Sequence, residues 1–230
     1  MLPQMRIADA DLRIDRLRTM AIWAVAFGIV EGAIVVYLRE IFYPHGFSLP
    51  LAPMPARIYR MEVIREAATM FMLGGIARLG ARDGLRRLAA FAFCFGIWDL
   101  VYYAVLKVAL GWPASWMEWD ILFLIPLPWT GPVLAPVLVS LSLIAASAPL
   151  LLAGEEGVPR VGKADWGVQA GAGLIILAAF LRNAPTLAAG RPLISFPWAL
   201  FLSGLLLGVG GYLRLWRSAA LRSSVRLPES

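Results

Sequence analysis

LAAFAFCFGIWDLVYYAVLKVA, residues 88–109, is long and apolar enough to cross a bilayer, yet it carries a carboxylate, Asp99, near its middle. A hydrocarbon core about 30 Å thick needs roughly 20 apolar residues of helix, so the run reads as a transmembrane helix. An ionisable side chain at that depth costs about 3 kcal/mol on insertion scales, and such residues pair with one another or mark function. The fold and the function therefore turn on which other apolar runs exist and what they bring to Asp99.

Five further runs have similar character, giving six near 20–38, 60–79, 88–109, 131–153, 166–183 and 194–213. The 230 residues are 60% hydrophobic and 16% charged, with a mean hydropathy of +0.73, whereas a soluble domain has about 45–50% apolar and about 25% charged residues. The expected fold is all-α, a polytopic membrane protein of about six transmembrane helices. Residues 1–19 form a cytoplasmic N-terminal segment, 20–217 a single transmembrane domain and 218–230 a cytoplasmic tail. The apolar run after the N-terminal segment contains Glu31 and lacks a small-x-small cleavage site, so the first span is expected to be a retained signal-anchor.

The net charge is +6, but the basic residues gather at helix ends, so no nucleic-acid partner is expected. Arg6, Arg13, Arg16 and Arg18 precede the first span, and Arg78, Arg82, Arg86 and Arg87 crowd the second connection. Arg160 and Lys163 lie in the fourth connection, and Arg214, Arg217, Arg222 and Arg226 follow the last span. Basic residues stay on the cytoplasmic side, which places both termini there. One cysteine, Cys94, excludes a disulfide framework, and one histidine, His45, excludes bis-histidine haem ligation. The sequence does not identify a cofactor, and His45 reads as an ordinary loop residue.

The first connection, IFYPHGFSLPLAPMPARIYR, is rich in proline and aromatics and should form an extended cap. In GWPASWMEWD, Trp112, Trp116 and Trp119 recur at helical spacing, which predicts a short interfacial helix, with Ser115 and Glu118 as its capping box. From Asp120 to Ala153 an unbroken helix would reach about 50 Å, so the chain must break. PLPWTGP, residues 126–132, is the place. A re-entrant or interfacial arm over 116–127 is expected, then span four from Pro132. Irregular backbone at membrane depth needs protein or a cavity around it, so the arm should line a pocket. GVQAG and GLLLG (Gly167/Gly171, Gly204/Gly208) read as close-packing patterns in scaffold helices.

Counting along the helices places Glu31 about 18 Å, and Asp99 about 17 Å, from the cytoplasmic end. Glu66, on a span running the other way, lies about 10 Å down from the outside. The three carboxylates thus share a level in the outer half of the membrane. Glu62, Arg65 and Glu66 share one helical face, and Tyr102 and Tyr103 follow Asp99 by one turn. With so few basic partners the cluster is over-acidic, so either a cation sits there or an acid stays protonated. Asp99, Glu66 and Glu31 are therefore the candidate proton donors, and Tyr102 a hydrogen-bond donor. Arg65, Glu62, Tyr103, Trp98, Trp129 and Asp120 are the candidate binding residues. Arg39, Lys107 and Arg182, at span ends, are expected to snorkel. A carboxylate-only metal site built from Glu31, Glu66 and Asp99 is a minor alternative.

Three functional classes fit these residues. The first is a membrane protein that binds, or processes by acid–base chemistry, an amphipathic lipid- or isoprenoid-like molecule. The second is a small-solute or proton-coupled transporter, for which the inner halves offer only Thr69, Cys94, Gln169 and a few serines. The third is a non-catalytic subunit or assembly factor, in which the cluster is internal glue. Partners would be membrane lipids, with a membrane-protein partner or homo-oligomer in the third case.

FGIVEGAIVVYLREIFYPHGF, IREAATMFML and FGIWDLVYYAVLKVALGWPASWMEWDILFLIPLPWTGPVLAPVLVS resemble a group of uncharacterised bacterial polytopic inner-membrane proteins. The resemblance covers roughly residues 20–145 and leaves the last two spans outside it. It implies a bacterial inner-membrane location and carries no activity with it.

Overall fold

A computed structural model describes residues 3–49, 52–154 and 157–224, with side chains described from residue 9 to residue 220. Pro50, Leu51 and Arg226 lie outside the described residues, as do the side chains of Arg6 and Arg222. The order is α1 (Pro3–Phe42), α2 (Ala56–Gly80), α3 (Gly84–Leu110), β1 (Trp119–Phe123), β2 (Trp129–Pro132), α4 (Leu134–Leu152), α5 (Lys163–Leu181), α6 (Ala184–Ala188) and α7 (Trp198–Ser224). Helices α1, α3, α4, α5 and α7 are long and apolar enough to cross a membrane. The protein is an all-α, multi-pass integral membrane protein with one small hairpin.

Helix α2 differs from the other long helices. It has 25 residues, but Arg57, Arg60, Glu62, Arg65 and Glu66 crowd its first half and keep it out of the apolar set. The second half is apolar and exposed at Phe71 and Leu79. Helix α3 has clear ends. Asp83 accepts the Arg86 backbone N–H at 2.9 Å, which satisfies a free donor of the first turn. Gly111, at φ 67°, donates its N–H to Lys107 O, as a left-handed C-terminal glycine does. Lys107 Nζ donates to the carbonyls of Gly111 and Pro113, so it closes the helix end as well as reaching outward.

The chain divides into two compact units, Met1–Leu152 with Asn183–Ser195, and Ala153–Arg182 with Phe196–Ser230. In the first, α3 is central: α1 and α4 pack along it, and α2 lies against it. The α1–α3 seam is close because Gly28 and Gly32 face α3. A Cβ on Gly28 would sit 2.8 Å from Trp98 O, and one on Gly32 would sit 2.7 Å from Val105 Cβ. Gly96 plays the same part between α3 and α4, against Ser140 O. Helix α2 runs antiparallel to α1, with Gly80 beside Met20 at one end and Arg65 beside Glu31 further along. Short α6 leads into a turn held by Asn183, whose side-chain amide exchanges hydrogen bonds with Ile194 N and O at 2.9 and 3.0 Å.

In the second unit α5 pairs with α7. Gly204 and Gly208 face Ala172, but nothing lies within 4 Å of a Cβ built on Gly167 or Gly171. The close-packing expectation holds for the α7 pair and fails for the α5 pair. The contact stripe of α5 is Val168, Gln169, Ala172 and Ile176, one residue round the helix from the glycines.

The expected interfacial helix is absent from 111–118, and the arm is an antiparallel hairpin. Trp119 pairs with Pro132, Asp120 with Gly131 and Ile121 with Thr130, with a bulge before Phe123. WDILF is aromatic and β-branched enough for a strand, and Pro126 and Pro128 prevent the helix that hydrophobicity alone would allow. The three indoles consequently share no face. Trp112 packs on Tyr103 and Phe47, Trp116 is exposed, and Trp119 opens β1. Ser115 Oγ accepts Met117 N–H in a local turn, so the Ser115–Glu118 pair caps no helix.

The α1–α3 seam yields a stability test. Gly32→Leu should destabilise the folded protein by about 2 kcal/mol through overpacking, whereas Gly74→Leu, with nothing within 4 Å, should leave stability unchanged. Thermal melts of the two purified variants by fluorescence-detected size exclusion check this contrast.

Candidate functional site

Three helices and the hairpin surround one cavity of about 450 Å³. From α1 come Glu31 and Arg39, from α2 Glu62, Arg65, Glu66 and Thr69, and from α3 Trp98, Asp99, Tyr102 and Tyr103. The hairpin adds Asp120 and Phe123, followed by Leu124. Helical periodicity explains the grouping: 62, 65, 66 and 69 form one stripe of α2, and 99, 102 and 103 one stripe of α3.

Each acid except Glu62 ties two elements together. Arg65 of α2 pairs with Glu31 of α1 and holds Glu62 at 2.9 Å. The Thr69 hydroxyl donates to Glu31 at 2.8 Å. Glu66 accepts the Leu124 backbone N–H at 3.0 and 2.8 Å, one distance to each carboxylate oxygen. Leu124 has left the β1 ladder just ahead of two prolines, so its N–H needs an acceptor from elsewhere. Ser140 of α4 donates to Asp99 Oδ2 at 2.8 Å. Arg39 of α1 donates to Asp120 Oδ1 of β1 at 2.9 Å, with the two side chains only 7% and 2% exposed.

Arg39 is therefore no snorkelling residue. Its guanidinium lies over the Trp112 ring at 3.7 Å and the Phe47 ring at 4.3 Å, in the corner between two edge-on rings, and these cation–π contacts order the first loop against the segment after α3. The loop is tied further by Ala52 N–H, which donates to the Tyr43 hydroxyl at 2.9 Å. Burial pushes the Tyr43 phenol above its ordinary pKa. Burial also pushes Asp120 up, and Arg39 opposes that shift.

Several polar atoms on the cavity wall are buried without a partner among the described residues: Arg39 Nη1, Asp120 Oδ2, the Tyr103 hydroxyl and Trp98 Nε1. The Tyr103 hydroxyl faces Asp120 but stops short of an ordinary hydrogen bond. Buried polar groups are satisfied almost everywhere in folded proteins, so this part of the wall is under-bonded, with the Tyr103 hydroxyl and Asp120 set toward each other.

Nine of the ten sequence-derived candidates line this cavity; Trp129 does not. Trp129 sits on β2 opposite Phe123 with its ring edge-on to it, so the Phe123 ring stands between it and the cavity. Trp98 contacts the cavity and also stacks with Tyr102 and Phe27. Arg39, Thr69, Ser140 and the Leu124 N–H were missed as site groups. Arg39 stands eight residues after Glu31, on the same helical face, which was a usable signal. Ser140 and the Leu124 N–H had none, since both are brought in by tertiary contact. Among the described residues no three acidic, histidine or cysteine side chains converge to hold a metal ion, so Glu31, Glu66 and Asp99 share a cavity without forming a ligand set. His45 is exposed in the first loop.

No protein-family model, curated protein or solved structure matches this chain.

The Arg39–Asp120 pair can be tested directly. Arg39→Ala should cost about 3 kcal/mol or more by leaving Asp120 buried and uncompensated, and the double change Arg39→Met with Asp120→Leu should recover most of it. Melting temperatures of the two variants in one detergent provide the measurement.

Proposed function

We propose that the protein is a bacterial inner-membrane protein that takes an amphipathic, lipid- or isoprenoid-like molecule from the membrane into this cavity. The observation that carries the reading is the composition of the wall. Five carboxylates and two guanidiniums surround a space otherwise lined by aromatic and aliphatic side chains. A polar head fits among the charges, and an apolar tail fits along the rings.

The orientation rests on the basic residues. Met20 of α1, Gly80 of α2, Cys94 of α3 and Leu152 of α4 mark one end of the first unit through their contacts with one another or with Arg13. Arg13, Arg16, Arg18, Arg78, Arg82, Arg86 and Arg87 belong to that end. The positive-inside tendency favours the cytoplasm for that end and for the N-terminal segment leading to it. Glu31 lies eleven residues beyond Met20, a rise of about 17 Å, which puts the cavity in the outer half of the membrane.

Acid–base chemistry is the reaction class that the wall favours. Asp99 has one neutral hydroxyl partner and no guanidinium, so of the acids it is the one best placed to carry and donate a proton. Glu66, bound by a backbone N–H, and Glu31, paired with Arg65, position the head. Tyr102 offers a phenol beside it.

Asp99→Asn and Glu66→Gln should lose the bound amphiphile, or its conversion, by at least about tenfold while still inserting and folding. Mass spectrometry of molecules co-purified in native-lipid particles, set beside folded yield, checks both. Loss of folded yield alone in both variants would make the cluster a packing device and nothing more.

A further inference from the structure

We propose that the ligand's polar head is a protonated amine, carried on an apolar tail. This rests on the cavity being a binding site for an amphiphile, and it adds the charge of the head. The wall holds Glu31, Glu62, Glu66, Asp99 and Asp120 against Arg39 and Arg65. Both guanidiniums are already committed, Arg65 to Glu31 and Glu62 and Arg39 to Asp120. Asp99 is met only by the Ser140 hydroxyl, and Glu66 by the backbone at Leu124 and Ile125, with the Arg65 guanidinium acting on it only at a distance. No basic side chain of the wall is left for either.

The unmet acceptor at Asp99 has the same sense. Asp99 Oδ1 receives no hydrogen bond from a described residue, and Asp120 Oδ2, on a residue 2% exposed, has none either. The Tyr103 hydroxyl is set toward Asp120 and is a donor facing its carboxylate. An ammonium supplies the N–H donors that Asp99 Oδ1 lacks, in charge-assisted bonds. Tyr43, Tyr59, Trp98, Tyr102 and Phe123 offer ring faces to the same space. Aromatic faces attract cations, as the stacking of Arg39 on Trp112 shows.

A phosphate or carboxylate head would find Arg39 Nη1 and Trp98 Nε1 as free donors. It would also sit among five acids whose two arginines are taken, and like charges at short range in a desolvated site oppose it. A neutral alcohol would satisfy the donors and leave the surplus charge untouched. The amine is the head that answers both the charge and the missing donors.

The test compares dodecylamine, dodecyl phosphate and dodecanol added to the full-length protein in nanodiscs of zwitterionic lipid, read by thermal midpoint and tryptophan fluorescence. Dodecylamine should bind at least about tenfold tighter than either. Asp99→Asn and Glu66→Gln should each weaken it at an unchanged folded yield. Equal or tighter binding of the phosphate or alcohol would overturn the amine while leaving the amphiphile site standing. Equal dodecylamine response in wild type and in a folded Asp99→Asn variant would mean partition into the bilayer, and would overturn it too. If none of the three binds the folded wild type, the amine and the site fall together. Should Asp99→Asn fail to fold, the ranking of the three probes on the wild type decides.

Discussion

Charged side chains inside an apolar bundle have to find their partners within the protein, and that constraint organises the first unit. Arg65 stands at the centre of the response. It reaches from α2 to Glu31 of α1 and back to Glu62 on its own helix, so a helix too charged to count among the apolar spans is bound to one that does count. Removing either partner would strand a buried charge, which costs far more than the pair itself contributes. The pairing therefore specifies which faces of α1 and α2 meet, while Gly28 and Gly32 specify how closely α1 approaches α3.

The hairpin follows from the same rule applied to backbone. Pro126 and Pro128 stop the chain from hiding its amides in a helix, and a strand pair meets most of them. The Leu124 N–H lies beyond the ladder and is taken by Glu66. A carboxylate on α2 thus anchors the hairpin end, and Arg39 anchors Asp120 near the other end of β1. The cavity is the space left between those two anchors. It is polar because the anchors are charged, and aromatic because the first loop, α2, α3 and β1 each present rings to it.

The membrane class, the long helices and the acid-bearing stripes were legible in the sequence, because each depends on composition or on a period of 3.6 residues. Gly28 and Gly32 were equally visible and were passed over in favour of Gly167 and Gly171. Spacing alone cannot tell a contacting small-residue pair from an idle one; what decides is which stripe of the helix faces a neighbour. Arg39 was misread for a related reason. Its place near a helix end predicts a solvated head, and only the arrival of Asp120, eighty-one positions later, keeps it inside.

By itself the sequence determined that this chain lives in a membrane, how many long helices it forms, and that Glu31, Glu66 and Asp99 are carried into apolar surroundings. Those are local properties, set by the hydrophobicity and helical period of short windows. Tertiary structure decided that 119–132 is a hairpin, that Ser140 and the Leu124 N–H serve the acids, and that Trp129 stands behind the wall. Each of these depends on a donor and an acceptor far apart in the chain, and desolvation makes an unmet polar group costly enough to select the packing that joins them.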